Sequence, residues 1–161
     1  MNPEVLKELP QVDRPRATYA NISRLDGKGT WKFLLMPTEI TYDSSANYTP
    51  SNSVGISSPT LQWTTTDNIS LSIGNLPISG RSQRRVITKY VNDLMALIQP
   101  IEKGKPPAVL SFVWGQTSHS PCVMTRFSKV ERSWYPNGDL AECSVSFTLV
   151  KIPTELLVDT L

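Results

Sequence analysis

Apolar and polar residues alternate along much of the chain, and this pattern predicts β-strands. The clearest pair of runs, residues 122–134 and 140–152, flanks a Tyr-Pro-Asn-Gly-Asp turn. Asn137 and Gly138 both tolerate a positive φ, so this dipeptide between two alternating runs predicts a hairpin. In the second run one parity is apolar, as expected for a strand with one buried face. Its members are Ala141, Cys143, Val145, Phe147 and Leu149.

Shorter runs of the same kind predict further strands. One begins at Ala17, and the others cover residues 30–35, 61–73 and 108–114. Residues 61–73 are predicted as one long strand or two short ones. Pro37 ends the strand over residues 30–35, because its ring nitrogen cannot donate to a strand ladder. Residues 74–80 are predicted as a loop, and Gly115 closes the last short strand.

One segment has the 3.6-residue period of an amphipathic helix. Its apolar positions are Val86, Ile87, Tyr90, Val91, Leu94, Leu97 and Ile98. Ser82 is the predicted N-cap, and Pro100 ends the element. The whole pattern predicts a mainly β protein, an antiparallel β-sandwich or barrel of six to eight strands with one α-helix across an opening.

Two kinds of segment lack a clear period. Residues 41–59 are rich in Ser, Asn and Thr, and they are too many for an ordinary connection in a compact domain. We therefore expect a segment that is functional, disordered on its own, or ordered by a partner. Three prolines punctuate residues 1–16, which are predicted as an N-terminal arm. The predicted organisation is this arm, one domain over residues 17–153, and a C-terminal tail over residues 154–161.

Composition excludes several classes of function. Charged residues make up only 19% of the chain and the net charge is +2, which gives no electrostatic footprint for nucleic acid. No apolar run approaches the length of a membrane span. The N-terminus lacks the apolar region of a secretory signal, so we expect folding in a cytoplasm. Cys122 and Cys143 are accordingly expected to be reduced thiols.

No residue pattern points to catalysis, a metal or a cofactor. His119, the one histidine, lies between serines in what is predicted to be a polar loop, and adjacency in sequence does not make a catalytic triad. One histidine and two distant cysteines form no metal-ligand spacing. Glycine-rich nucleotide-binding motifs are absent from the sequence. We therefore expect a protein that is not an enzyme.

Four tryptophans and a basic cluster are the remaining candidates for binding. The tryptophans either pack in the core or an interface, or stack on sugars as in a carbohydrate-binding module. They are Trp31, Trp63, Trp114 and Trp134.

The basic cluster consists of Arg81, Arg84 and Arg85, followed by Lys89, in the first turns of the predicted helix. Positive charge there opposes the helix dipole. The cluster is either a solvated, salt-bridged face, or a contact with carboxylates of a neighbouring subunit, or a phosphate site. Tyr48, in the polar segment, is a further candidate for a subunit contact.

Several segments resemble, in the right order, the tube-like domain family of contractile injection systems and contractile phage tails. Residues 31–40 resemble its F-x-F-N-P-x-E segment, with Met36 where that family usually has Asn. Residues 106–115 resemble its most specific signature, in which Pro-Pro is followed by Val, Phe, Trp and Gly. The residues that carry these matches are Pro37, Pro107, Phe112, Trp114 and Gly115.

Two further segments match this family. Residues 71–79 look like its L-S-L-x-L strand and loop, and the predicted helix follows them. The closing hairpin, with Asn137 and Gly138 at its tip, loosely resembles the family's last element, although Leu140-Ala141 lacks the usual Arg.

This resemblance implies a tail-tube fold of two packed β-sheets and a helix, and a hexameric ring that joins the baseplate hub to the tail tube. The implied partners are other copies, the hub or spike protein and the tube protein, with DNA passing through the lumen without specific binding. The implied location is the assembled tail or injection particle, after synthesis in a host cytoplasm. Many relatives carry a LysM module next, and we expect none here. A carbohydrate-binding β-sandwich and an unusual serine hydrolase remain as alternatives.

Overall fold

The computed structural model of the chain describes residues 19–52, 54–55 and 57–153. The predicted arm, residues 1–16, and the predicted tail, residues 154–161, lie outside this part. The described residues form antiparallel strands and one α-helix, which confirms the predicted fold class. No helix among them is long and apolar enough to cross a membrane.

Nine strands and one helix are described. The strands are β1 (Asn21–Arg24), β2 (Thr30–Lys32), β3 (Ile40–Asp43), β4 (Ala46–Ser51), β5 (Thr60–Thr66), β6 (Ser70–Ser79), β7 (Leu110–Trp114), β8 (Thr117–Trp134) and β9 (Leu140–Lys151). The helix α1 (Thr88–Met95) lies between two 3-10 turns, Arg81–Gln83 and Ala96–Ile98. Seven strands form one sheet in the order β2-β1-β7-β8-β9-β6-β3, and β4 pairs with β5 in a second sheet. The described strands do not close into a barrel.

The core lies on one face of β9 and its two neighbours, β8 and β6. The apolar parity predicted for β9 is buried throughout. On the same face α1 places Val91 and Leu94, both 0% exposed, and each such side chain stabilises the fold by roughly 1.5–3 kcal/mol. Phe33, which follows β2, stacks on Phe147 with ring centroids 6.0 Å apart. The chain after β2 therefore folds back over the core face.

The hairpin between β8 and β9 is confirmed, with a different turn from the one predicted. Gly138 has a φ of +91°, but Asn137 does not have a positive φ. Gly138 N–H donates to the carbonyl of Tyr135 at 2.9 Å, and Tyr135 N–H donates to the carbonyl of Asp139 at 2.8 Å. Pro136 thus occupies the second position of a four-residue turn, where its fixed φ is favourable.

The helix begins later than predicted. Ile87 is the residue before its first turn, and Ser82 lies in the preceding 3-10 turn without capping α1. The physical reason is Arg84, whose φ of 51° interrupts the helical backbone between the two elements. Val86 is consequently exposed, although it was predicted on the buried face.

Two segments that were not assigned as strands from the sequence pattern contain them. Residues 74–79 belong to β6, with a bulge at Gly74 and Asn75 where the register to β9 shifts, and of the predicted loop only Gly80 lies outside the strand. Residues 41–59 include most of β3 and all of β4. These strands are held by backbone pairing with β6 and β5, and their exposed side chains need no apolar period. This is why the sequence pattern missed them.

His119 is buried in β8 and does not lie in a polar loop as predicted. Its side chain is 3% exposed, and its Nε2 lies 3.1 Å from the carbonyl oxygen of Leu149. The ring of Tyr42 on β3 meets it edge to face at 6.4 Å between centroids. Burial lowers the pKa of His119, the Leu149 carbonyl opposes that effect, and the charge of Lys151 lowers the pKa further.

We expect the free energy of unfolding to fall as the pH drops below about 6.5, the ordinary pKa of histidine. The unfolded chain protonates His119 first, so stability present above that pH is lost as the pH falls through the lowered folded-state pKa. Urea denaturation of the wild type and of His119→Gln between pH 7.5 and 4.5 measures this. Gln can still donate to the Leu149 carbonyl but does not titrate. The slope of the free energy of unfolding against pH should therefore lack the contribution of His119 in this variant. Identical slopes would contradict the assignment.

Candidate functional site: the ribbon and the arginine loop

Strands β4 and β5 form a two-stranded ribbon that does not join the main sheet. At its root the carbonyl of Ser45 accepts Asp67 N–H at 2.7 Å, and Ser45 Oγ donates to Asp67 Oδ2 at 2.6 Å. Asn47 Nδ2 donates to the other carboxylate oxygen at 3.0 Å. These bonds, that from Ser45 first, lower the pKa of Asp67. These bonds tie the two strands of the ribbon to each other at its root, where the chain leaves β3 and enters β6.

One face of the ribbon is apolar and uncovered. Tyr48 lies opposite Trp63, and Pro50 lies opposite Leu61, so the four side chains share a face. Tyr48 is 54% exposed, Trp63 61% and Leu61 62%. The other face carries amides and hydroxyls, such as those of Asn47, Thr49 and Gln62. No described residue outside the ribbon buries the apolar face.

This arrangement costs free energy in an isolated chain. A two-stranded hairpin alone in water is marginally stable. Residues 44–66 contain no charged side chain that would favour solvation. A contiguous apolar face on an exposed element marks a binding surface. The ribbon is therefore the strongest candidate for a contact with another molecule.

The second candidate is the segment 80–85, which we call the arginine loop. Gly80 N–H donates to the carbonyl of Ala141 at 3.0 Å, and Arg85 N–H donates to the carbonyl of Gly80 at 2.9 Å. A Cβ on Gly80 would lie 2.2 Å from the carbonyl oxygen of Arg85, so only glycine fits. Arg84 adopts a left-handed conformation with φ 51°. The loop is thus held tightly against the start of β9.

The three arginines of the cluster differ in their surroundings. Arg81 binds within its own chain: its Nε lies 3.6 Å from Glu142 Oε1, and its Nη2 donates to Ser133 Oγ. Its guanidinium also lies 5.5 Å from the ring centroid of Tyr135. Arg84 and Arg85 are exposed, and within the described part of the chain neither pairs with a carboxylate.

These contacts make Arg81 part of a salt-bridged surface, which is one of the three alternatives that the sequence left open for the basic cluster. The Arg81–Glu142 pair is half-exposed and contributes little to stability. Arg84 and Arg85 keep the property that a subunit contact requires, an accessible guanidinium. Lys89 pairs with Asp93 at 2.7 Å on α1 and does not extend the cluster.

The residues that carried the family resemblance lie in the core and in turns. Phe112 is fully buried, Trp114 packs partly buried against the core, and Pro37 is buried. Pro107 forms an isolated bridge with Pro100. Gly115 has a φ of +60° and lies in the turn between β7 and β8. Asn137 and Gly138 lie in the turn between β8 and β9. The structure does not bring these residues together into one site.

Sequence reasoning selected Tyr48, and it named Trp63 as a core, interface or sugar contact, but it missed Pro50 and Leu61 and the pairing that brings all four together. The available signal was a pair of short alternations, at 48 and 50 and at 61 and 63, on two segments that could pair. Among the tryptophans, Trp63 and Trp134 are exposed, whereas Trp31 and Trp114 pack against the core.

The described residues include no group of three His, Cys, Asp or Glu side chains that could hold a metal ion. Cys122 and Cys143 are buried free thiols, and burial raises the pKa of Cys122 to about 12. A thiol with that pKa is inert near neutral pH.

No protein-family model matches the chain, and no curated protein has a similar sequence. Function is therefore inferred from the chain's own surfaces.

We expect Gly80→Ala to destabilise the fold and Arg84→Gly not to do so. The alanine Cβ would displace the Arg85 carbonyl, at a cost of about 1–3 kcal/mol. Glycine at position 84 would adopt the positive φ without strain. This gain in the folded state would offset much of the conformational entropy that glycine adds to the unfolded chain. Urea midpoints of both variants test the loop geometry, and a Gly80→Ala midpoint equal to that of the wild type would contradict it.

Proposed function

We propose that this chain is a structural subunit, not an enzyme, which assembles with copies of itself into a ring that initiates a tail tube. The observation that carries the proposal is the uncovered apolar face of the ribbon. Contact with a neighbouring copy would bury Tyr48 and Trp63. Tyrosine and tryptophan are enriched among the residues that contribute most of the binding free energy of protein interfaces.

A long strand edge also favours assembly. β7 pairs with β8 only as far as Cys122, whereas β9 pairs with β8 to its end at Trp134. Residues 123–134 therefore present one edge that no described strand pairs with. The outer edge of β3 is a second such edge. Unpaired edges are templates for another chain, and two different edges on one molecule suit the head-to-tail contacts of a ring.

The two ends of the molecule differ, which suits a layer between two different neighbours. The ribbon leaves the sheet beside Val150, the partner of Ser70, while the arginine loop is bound to Ala141. Nine residues of β9 separate these points, about 30 Å at 3.3 Å per residue. One end would meet the hub or spike protein and the other the tube protein. Six copies, and the position between hub and tube, come from the resemblance of residues 31–40 and 106–115 to tube-like domains.

A carbohydrate-binding module is the second candidate, and one observation favours it. The outer sheet face holds a cavity of about 450 Å³ lined by polar side chains, among them Glu39, Ser72, Arg126 and Thr148. Sugar recognition also needs an exposed ring for stacking. The exposed tryptophans, Trp63 and Trp134, do not line this cavity. Binding of an oligosaccharide to the monomeric chain would favour this candidate over the ring.

We expect the double variant Leu61→Ser, Trp63→Ser to lose assembly and keep its fold. Its matched control, Gln62→Ser with Thr64→Ser, alters the polar face of the same strand. Loss of a buried aromatic contact costs about 2 kcal/mol or more, roughly thirtyfold in the dissociation constant. Within the described part of the chain, β4 and β5 pair only with each other, so thermal unfolding of the domain should be unchanged.

Analytical ultracentrifugation and electron microscopy measure the outcome. Wild type and control should form rings over the same range of concentration, and the apolar-face variant should remain monomeric there. Equal assembly of all three chains, or a wild type that stays monomeric at every concentration, would contradict the proposal.

A further inference from the structure

A groove runs between α1 and the segment that follows β2. Its volume is about 260 Å³, and its lining includes Leu34, Leu35, Pro77 and Val86. Both leucines and the valine are exposed. Tyr90 closes the floor, where its hydroxyl donates to the carbonyl of Lys32 at 2.9 Å. The groove is a preformed apolar surface with a fixed wall on each side.

The rim of this groove is cationic. Arg85 belongs to its lining, and Arg84 is the adjoining residue of the arginine loop. In the described part of the chain neither guanidinium meets a carboxylate. The surface therefore fits a peptide segment that has large aliphatic side chains with carboxylates beside them.

We infer that this groove binds residues 154–161 of a second copy of the chain. Their sequence is Thr-Glu-Leu-Leu-Val-Asp-Thr-Leu, in which Glu155 and Asp159 flank Leu156, Leu157 and Val158. The segment carries two negative charges and no positive one, which complements the rim. Arginine can pair with each carboxylate through two parallel hydrogen bonds. Residues 1–16 fit less well, because their three acidic and three basic residues cancel.

Strand geometry places the segment on a different copy. β9 begins beside the arginine loop, where the Leu140 carbonyl accepts Ile87 N–H, and ends at Lys151 beside Ile69. Eleven residue steps at about 3.3 Å separate these points by about 36 Å. Asp159 is eight residues beyond Lys151 and reaches at most about 28 Å when extended. Glu155 reaches only about half as far and cannot meet Arg84 or Arg85 of its own chain, whereas Asp159 could do so only with backbone and side chains fully extended, so one chain cannot place both carboxylates at its own rim.

This inference rests on the proposed assembly of identical copies and adds a second contact to it. The segment leaves the domain at the end that bears the ribbon, and the groove lies at the opposite end. A contact between them joins copies head to tail, as ribbon and strand edges also favour. The apolar residues would supply binding, and the arginines would fix the register.

Disulfide trapping in the full-length chain tests the contact. Chains with Val86→Cys are mixed with chains with Leu157→Cys and oxidised, and the linked dimers are identified by mass spectrometry. Cys122 and Cys143 are buried and do not compete. The matched control replaces Val86→Cys with Asn92→Cys, an exposed position of α1 outside the groove. We expect at least fivefold more dimer with Val86→Cys.

Charge reversal tests the rim. Arg84→Glu with Arg85→Glu in the Val86→Cys chain should reduce the yield at least fivefold. Glu155→Arg with Asp159→Arg in the Leu157→Cys chain should restore it. Reversal without loss, or loss without restoration, would overturn the assignment of the arginines.

The trapping results also separate this contact from the proposed function. Rings that depend on Trp63 but yield no dimer above the Asn92→Cys control would overturn this inference and leave the proposed function standing. Absence of any complex would overturn both. A chain with both Val86→Cys and Leu157→Cys that links only to itself at high dilution would show that the segment binds its own groove, contrary to the inference.

Discussion

The buried face of β9 is the constraint on which the rest of the structure depends. Its odd-numbered residues from 143 to 149 belong to one buried cluster with residues of α1 and of the chain after β2, and its backbone pairs with β8 on one side and β6 on the other. A shift of one residue would expose this whole set, so burial fixes the register of all three strands. Both candidate surfaces are attached to this frame: the arginine loop at its first residues and the ribbon near its last.

Among the residues that the structure describes, the frame leaves backbone and apolar side chains without partners at its margins. β7 stops pairing with β8 at Cys122, and β4 and β5 leave the sheet altogether. Monomeric proteins generally cover or shorten such edges. The described part of this chain keeps a twelve-residue edge, an aromatic ribbon and a cationic groove together. The proposed assembly would account for all three features with one cause.

Local sequence predicted the elements whose side chains face the core. The β8–β9 hairpin was predictable because Leu149 and the other apolar residues at alternate positions of β9 are buried. The helix α1 was predictable because Val91 and Leu94 recur at helical spacing. Its start was missed because the interruption depends on the backbone of Arg84, which packing around Gly80 imposes. An arginine at positive φ leaves no signal in the sequence.

The candidate site was predictable only in part. Tyr48 and the arginines stood out as single residues, but the apolar face of the ribbon depends on the pairing of Tyr48 with Trp63 across 15 positions. Strands held by backbone pairing alone have no apolar period to reveal them. The burial of His119 was missed for a related reason, since its partners Tyr42 and Leu149 come from distant strands.

Hydrogen exchange of the ribbon amides at two protein concentrations tests the central claim most directly. A ribbon supported only by its own pairing opens readily, so its amides should exchange fast in dilute monomer. At concentrations where rings form, residues 46–51 and 60–66 should exchange at least tenfold more slowly, while the amides of β9 remain slow in both samples. Ribbon exchange that is equally fast, or equally slow, at both concentrations would contradict the account.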